Sequence, residues 1–97
     1  MTLSEIIQDI HACEEDMLTY ERKYNTLSET FYAAYSAGEE PPDDASVLEW
    51  GDWAGAYQIW LRRKKQYQEA IQALEQQTSL IQIIAKAMRR ESLLIPA

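Results

Sequence analysis

Apolar residues in the first third of the chain recur at alternating steps of three and four positions. This spacing places them on one face of an α-helix, in the heptad pattern of a coiled-coil seam. Thr2 and Glu5 fit a capping box at the start of this helix, and Thr26 and Glu29 fit a second one that predicts a break or kink near Asn25. The stripe consists of Leu3, Ile6, Ile10, Cys13, Met17, Tyr20, Tyr24, Leu27 and Phe31.

One interruption separates this stripe from a second one. Gly38 suits a helix C-terminus because glycine takes the left-handed conformation readily, and residues 39–44 contain a Pro-Pro pair that a helix interior excludes. Either residue of the Asp43-Asp44 pair can cap the next helix. Gly51 and Gly55 in that helix predict close packing beside large tryptophan rings. The second stripe consists of Trp50, Trp53, Tyr57, Trp60, Lys64, Tyr67, Ile71, Leu74, Thr78, Ile81, Ala85 and Met88.

Together the two stripes predict an all-α fold. We expect an antiparallel helical hairpin over residues 1–82, with a kinked first arm and a long second helix. Two helices cannot enclose a core, so we expect the hairpin to complete a bundle by dimerisation. A turn centred on the two prolines pairs positions whose numbers add to about 83. This register pairs Phe31 with Trp50 and Trp53, Tyr24 with Tyr57 and Trp60, and Leu3 with Leu80 and Ile81.

Residues 83–97 extend beyond the predicted hairpin as a C-terminal amphipathic overhang. Basic residues alternate there with apolar ones that no part of the hairpin covers, which is typical of a binding segment. Partner binding, self-association and a frayed end are all open interpretations of it. Tyr32 and Trp50 are added because interfaces favour Tyr and Trp as anchors. The candidate partner-binding residues are therefore Ile83, Ile84, Met88, Arg89, Arg90, Leu93, Leu94, Tyr32 and Trp50.

Charge is distributed unevenly along the 97 residues, whose net charge is −7. Residues 1–59 carry thirteen acidic and two basic side chains, whereas residues 60–97 carry seven basic and three acidic ones. The acidic part predicts no specific nucleic-acid binding by this chain alone, because phosphates repel it. It would suit a basic protein partner, although a solvated acidic surface needs no partner.

The sequence offers no convincing catalytic or metal-binding set. His11 and Glu15 share a helix face, but Gln8 stands where a Glu-x-x-His motif needs a carboxylate. Cys13 lies in the apolar seam, about 200° around the helix from His11, and is expected to be a buried core residue. We therefore expect no enzyme activity, no cofactor and no metal. One cysteine and no long apolar run predict a cytoplasmic protein without a membrane span.

A pattern in the middle of the chain resembles a known family. It reads Tyr24-Asn25-Thr26-Leu27-Ser28-Glu29-Thr30-Phe31-Tyr32, then Tyr35 and Gly38-Glu39, then Asp43-Asp44, then Glu49-Trp50, and finally Tyr57, Leu61, Arg62 and Lys64. These landmarks, within residues 14–68, resemble small bacterial and archaeal antitoxin-like proteins of two-gene toxin–antitoxin modules. Asn25 stands where that family usually has glycine, and the chain continues further past residue 70 than the family does.

The resemblance implies a non-enzymatic protein that binds and neutralises a cognate toxin, often a nuclease. The helical stripes by themselves support a different hypothesis, a homo-oligomeric coiled-coil adaptor or structural protein. The two hypotheses assign different roles to residues 83–97, which would bind a toxin in the first and mediate self-assembly in the second.

Overall fold

The computed structural model of this protein describes residues 1–91, and it confirms the predicted all-α class. Within those residues there are four helices and no strand. Leu93 and Leu94, which the sequence placed in the binding segment, lie outside the described residues. The helices are α1 (Leu3–Tyr24), α2 (Ser28–Ser36), α3 (Ala45–Glu75) and α4 (Leu80–Met88).

The predicted break near Asn25 is confirmed, and it separates α1 from α2. Asn25 adopts a left-handed backbone with φ of 53°, which asparagine tolerates better than most residues. The second predicted capping box does not form, because the Thr26 hydroxyl donates to the Tyr24 carbonyl instead. The Ser28 amide, at the first residue of α2, donates to Glu21 Oε2 at 2.9 Å. A carboxylate seven residues earlier thus caps this helix.

The other helix starts and ends that the sequence predicts also form. At the start of α1, Thr2 Oγ1 accepts from the Glu5 amide at 3.2 Å. Gly38, with φ of 91°, follows the end of α2 in the left-handed conformation. Asp43 caps α3 by accepting from the Ser46 amide at 2.8 Å. These caps depend on residues within a few positions of one another, which is why they are readable from sequence.

The predicted long second helix is α3, which has 31 residues, but it ends at Glu75 and does not carry the apolar stripe on to Met88. The amides of Gln77 and Thr78 both donate to the Leu74 carbonyl, which closes the last turn of α3. Ser79 has an extended backbone, and its side chain accepts from the Gln82 amide to begin α4. Serine favours such a cap because its hydroxyl competes with backbone hydrogen bonds inside a helix. Each predicted arm is therefore divided into two helices.

The chain forms two compact units, each with its own apolar core. The terminal unit combines Met1–Ile10 with the chain from Arg62 onward, and the central unit is His11–Leu61. In the terminal unit, the half-buried residues Ile7, Tyr67 and Ile71 pack around the buried core residues Leu3, Ala70, Leu74 and Ile83.

Aromatic rings form the core of the central unit. Trp53 is only 1% exposed, and the Phe31 ring lies parallel to it with centroids 3.8 Å apart. Phe31 also meets Trp50 edge to face at 5.4 Å, so the predicted pairing of Phe31 with these two tryptophans is confirmed. Tyr20 and Tyr24 of α1 also stack on Trp53, with ring centroids 5.8 and 5.6 Å from it.

The predicted register of the first helix against α3 is wrong within the central unit. Tyr24 was expected beside Tyr57 and Trp60, but its ring stacks on Trp53 and its hydroxyl donates to Glu49. This displaces α1 by roughly two to three helical turns along α3. The cause is the break at Asn25, because α2 is a separate helix that pairs with α3 on its own and does not extend the register of α1.

Candidate protein-interaction surfaces

The outer face of α4 exposes several large apolar side chains of the terminal unit. Ile84 and Met88 are 54% and 80% exposed, as the sequence predicts for a binding segment. Leu80 and Ile81, which were not among the candidates, are exposed as well. The basic residues nearby lie elsewhere: Lys86 is about 200° around the helix from Ile84, Arg89 pairs with Glu91 at 3.2 Å, and Arg90 lines a pocket with residues of α1.

Ile83 was expected to be uncovered, and this expectation is wrong. Its side chain is 5% exposed and packs with Leu3, Ala70 and Leu74 in the core of the terminal unit. Conversely, Ile81 was expected in the seam, and it is 67% exposed. The break between α3 and α4 explains both errors, since a new helix need not continue the phase of the old one. Ile83 therefore anchors α4, and Ile84 lies on its outer face.

A signal for this arrangement is present in the sequence. Ser79 and Gln82 have the residue types and spacing of a capping box, in which a serine is followed three positions later by glutamine. The Ser79 hydroxyl accepts from the Gln82 amide at 3.3 Å in the structure. Treated as a helix start, this pair would have predicted α4 as a separate element with its own buried and exposed faces.

The central unit carries an open groove lined by apolar and acidic side chains, which we call the acidic groove; its three carboxylates, Glu14, Glu21 and Glu29, are its rim. Its volume is about 380 Å³. Leu18 and Leu27, which are 41% and 62% exposed, give it two unusually accessible apolar side chains. The full lining consists of Glu14, Met17, Leu18, Glu21, Leu27, Ser28, Glu29, Tyr57 and Trp60.

Hydrogen bonds hold two of the rim carboxylates in place. Glu14 Oε2 accepts from the Trp60 indole at 3.3 Å. Glu21 Oε2 accepts from both the amide and the hydroxyl of Ser28, at 2.9 and 2.8 Å. Glu29 lies in the first turn of α2 and is exposed. The rim therefore presents three negative charges, two of them on side chains oriented by neutral donors.

The two aromatic candidates from the sequence are half-buried in the central unit. Tyr32 contacts the Tyr57 ring at 4.8 Å, and its hydroxyl accepts from Gln58 at 2.9 Å. Trp50 packs edge-on against Phe31. The buried Trp50 indole N–H has no acceptor among the described residues. Both side chains therefore contribute to the packing of this unit and not to the surface of α4.

A polar cluster joins the end of α1 to the start of α3 beside this aromatic core. Glu49 accepts from the Lys23 ammonium at 2.5 Å and from the Tyr24 hydroxyl. These two bonds, that from Lys23 being the larger cause, lower the pKa of Glu49 from its ordinary value. The bond to Glu49 correspondingly raises the pKa of Lys23. The cluster therefore links the end of α1 to the start of α3.

The residues that the sequence offered for catalysis or metal binding lie on α1. His11 and Glu15 are both exposed on α1. Within residues 1–91, no group of three or more potential side-chain ligands could hold a metal ion. None of the helices described has the length and apolar composition needed to cross a bilayer. Besides the outer face of α4 and the acidic groove, the described residues line two further open pockets. One lies in the terminal unit beside Leu3 and Ile7, and the other lies in the central unit beside Gly51 and Gly55.

No family model matches this chain, and neither a curated protein nor a solved structure matches it. The antitoxin resemblance therefore depends on the residue pattern alone. The structure shows what several of those residues do locally. Tyr24, Ser28, Phe31 and Glu49 all contribute to the packing or polar contacts of the central unit.

Proposed function

We propose that this chain is a non-enzymatic protein-binding module that uses the outer face of α4. The observation that carries this proposal is the contrast along that helix, where Ile83 is buried while Ile84 and Met88 are largely exposed. Large apolar side chains grouped on one exposed face mark interaction sites in soluble proteins. An amphipathic helix of this kind binds by laying its apolar face in a groove of its partner.

The finer proposal is that the partner is a cognate toxin and that the chain acts as its antitoxin. Its support is the ordered sequence pattern, whose residues lie in the central unit. On this proposal the central unit contains most of the segment that resembles the antitoxin-like family, and α4 supplies the binding face. We propose action in the cytoplasm, where the thiol of Cys13 would stay reduced, and no specific nucleic-acid binding by this chain alone.

Co-expression with the product of the adjacent gene tests the toxin proposal. We expect that product to arrest growth when expressed alone, and we expect the full-length chain to relieve the arrest and co-purify with it. Ile84→Glu should abolish both effects, because it places a charge in the centre of the apolar face. Gln82→Glu adds the same charge to the same helix at an exposed position about 200° away, and should leave both effects intact.

Three outcomes would count against parts of this proposal. A harmless neighbouring product that does not co-purify contradicts the antitoxin assignment. Neutralisation that survives Ile84→Glu contradicts the assignment of α4 as the binding face. If Gln82→Glu loses neutralisation and co-purification equally, added charge anywhere on α4 would be the cause, and not disruption of its apolar face. Circular dichroism of each variant checks that the helical content is unchanged.

A second candidate function is self-association, as in a homodimeric coiled-coil adaptor or structural protein. It is favoured by two surfaces of this chain that expose large apolar side chains. These are the outer face of α4, with Ile84 and Met88, and the acidic groove, with Leu18 and Leu27.

A further inference from the structure

We infer that the acidic groove of the central unit binds a basic amphipathic helix that belongs to a different protein. The groove takes the apolar side chains of that helix, and the rim binds the lysines or arginines beside them. The inference goes beyond the proposed function, because it concerns a surface other than α4 and holds whether or not the partner is a toxin.

The acidic groove is built within one unit of the structure, from three helices that share one core. Met17, which lies inside it, is only 6% exposed and belongs to the aromatic core. Tyr57 and Trp60 pack against that same core and line the groove from α3. The groove is therefore present before any partner binds.

Leu18 and Leu27 give the groove its accessible apolar surface, and a partner that covers them removes that surface from water. The groove has a volume of about 380 Å³. A two-turn helix 10 Å across occupies roughly twice that volume. The groove therefore takes side chains from one face of a helix and not the whole helix.

The spacing of the lining residues on α1 matches such a face. Glu14, Leu18 and Glu21 follow one another at steps of four and three, so they form one row about 10 Å long, or two helical turns. A partner helix laid along this row repeats with the same spacing, because its residues three and four apart also share a face. An apolar side chain at Leu18 would then have a basic side chain one turn before it and one turn after it.

The rim determines the charge of the occupant. The ion pairs found among the described residues involve other carboxylates than Glu14, Glu21 and Glu29. The central unit as a whole has eleven acidic and two basic side chains. Charges at the edge of an interface direct encounter and select the partner, while the apolar centre supplies affinity. The groove therefore favours a basic helix and repels an acidic one.

The helix α4 of this chain does not have the pattern that the groove requires. Lys86 lies about 200° around the helix from Ile84, and Arg89 pairs with Glu91 at 3.2 Å. The apolar row of α4 therefore lacks basic residues beside it. For this reason we assign the groove to a different protein and not to a second copy.

A synthetic peptide of about 15 residues, near the length at which isolated helices begin to form, provides the probe. It has leucines at helical steps of three and four, lysines beside them and no aromatic residue. One comparison peptide has glutamates in place of the lysines, and another has alanines in place of the leucines. Binding to the full chain is followed by tryptophan emission, because Trp60 lines the groove. We expect the basic peptide with leucines to bind about tenfold more tightly than either comparison peptide.

Two variants of the chain test the apolar part of the contact. Leu18→Gln places an amide in the groove. Leu61→Gln makes the same change at a position of the central unit that is similarly exposed, at 43%, and lies outside the groove. We expect Leu18→Gln to weaken peptide binding about fivefold and Leu61→Gln to leave it unchanged.

Two double variants test the rim. Glu14→Gln with Glu29→Gln removes two rim charges, whereas Glu15→Gln with Glu39→Gln removes two exposed charges of the same unit outside the groove. We expect the rim variant to weaken binding about tenfold at about 0.05 M salt and much less at about 0.5 M, where charges are screened. The control variant should lose far less affinity at the lower salt concentration.

Every other result contradicts the inference. Absence of binding by the basic peptide, or equal binding by the acidic one, removes the basic helix as occupant. Equal losses in the rim and control variants would mean that net charge alone attracts the peptide. Equal losses in Leu18→Gln and Leu61→Gln would place the site outside the groove. A wild-type dimer that only Leu18→Gln dissociates would make a second copy the occupant. Circular dichroism checks that each variant is folded.

Discussion

Ser28 is a polar residue inside the aromatic core of the central unit, and it is only 4% exposed. Its hydroxyl accepts from the Trp53 indole at 2.8 Å and donates to Glu21 Oε2 at the same distance. A buried polar group costs free energy unless its hydrogen bonds are made, and here each is made. A single hydroxyl thereby links the start of α2 to α1 and α3.

Replacing this hydroxyl should destabilise the protein more than its size suggests. In Ser28→Ala the Trp53 indole N–H loses its acceptor in a buried site, which costs about 1–3 kcal/mol. Urea unfolding followed by tryptophan emission measures the loss. Ser36→Ala, at the exposed C-terminal end of the same helix, is the control and should change stability little. Equal stability of the two variants would mean that the network contributes nothing.

Glu49 predicts a dependence of stability on acid. Its pKa is lowered by the hydrogen bonds from Lys23 and Tyr24, so its contribution is complete above the ordinary value of 4.5. It is lost as the pH falls below 4.5 and through the lower folded-state pKa. Thermal melts between about pH 5 and 3 should therefore show a shallower decline in Tm for Glu49→Gln than for the wild type.

Lys23→Met provides the companion measurement for this prediction. It removes the larger of the two causes that lower the Glu49 pKa and leaves the Tyr24 hydroxyl in place. Its decline in Tm should lie between those of the wild type and Glu49→Gln. Three identical declines would contradict any role of this cluster in acid stability.

Helix boundaries determine which faces of the elements meet. The sequence predicts the local stops well, because Asn25, Gly38 and Asp43 act through bonds to near neighbours. It also predicts that Phe31 meets Trp50 and Trp53. It fails for the register of α1 and for the faces of α4, because each break resets the phase of the apolar stripe. Periodicity cannot reveal that reset where the apolar steps happen to continue across it.

The glycines of α3 are a second case in which the sequence predicts a contact that the structure does not show. Gly51 and Gly55 were expected to allow close packing, but a Cβ atom at either position would meet nothing within 4 Å. Alanine should therefore fit without strain and raise helix propensity. We expect each substitution to stabilise the protein by about 0.5–1 kcal/mol.

Chemical unfolding of Gly51→Ala and Gly55→Ala measures this gain. The additional control is Gly38→Ala, which should destabilise, because Gly38 has φ of 91° and an L-residue there is strained. Destabilisation by the two α3 substitutions would mean that these positions are covered in the protein as it exists in solution, for instance by another copy.

At the scale of the whole molecule, the net charge predicts how salt affects association. Two copies with a net charge of −7 repel each other. Added salt screens that repulsion, because the Debye length falls to about 10 Å at 0.1 M.

If the chain self-associates, as the second candidate function proposes, we expect the association to strengthen as salt is raised from about 0.01 to 0.15 M. Sedimentation equilibrium of the wild type measures this directly. Association that weakens steadily with salt would show that attraction between unlike charges outweighs the net repulsion.

The placement of the aromatic residues supplies a spectroscopic consequence. All three tryptophans, at positions 50, 53 and 60, lie in the central unit, and the terminal unit contains none. Tryptophan emission therefore reports on the central unit only, whereas far-ultraviolet ellipticity reports on the helices of both units. Trp60 also lines the acidic groove, so an emission shift without a change in ellipticity would signal occupation of that groove, with no label attached.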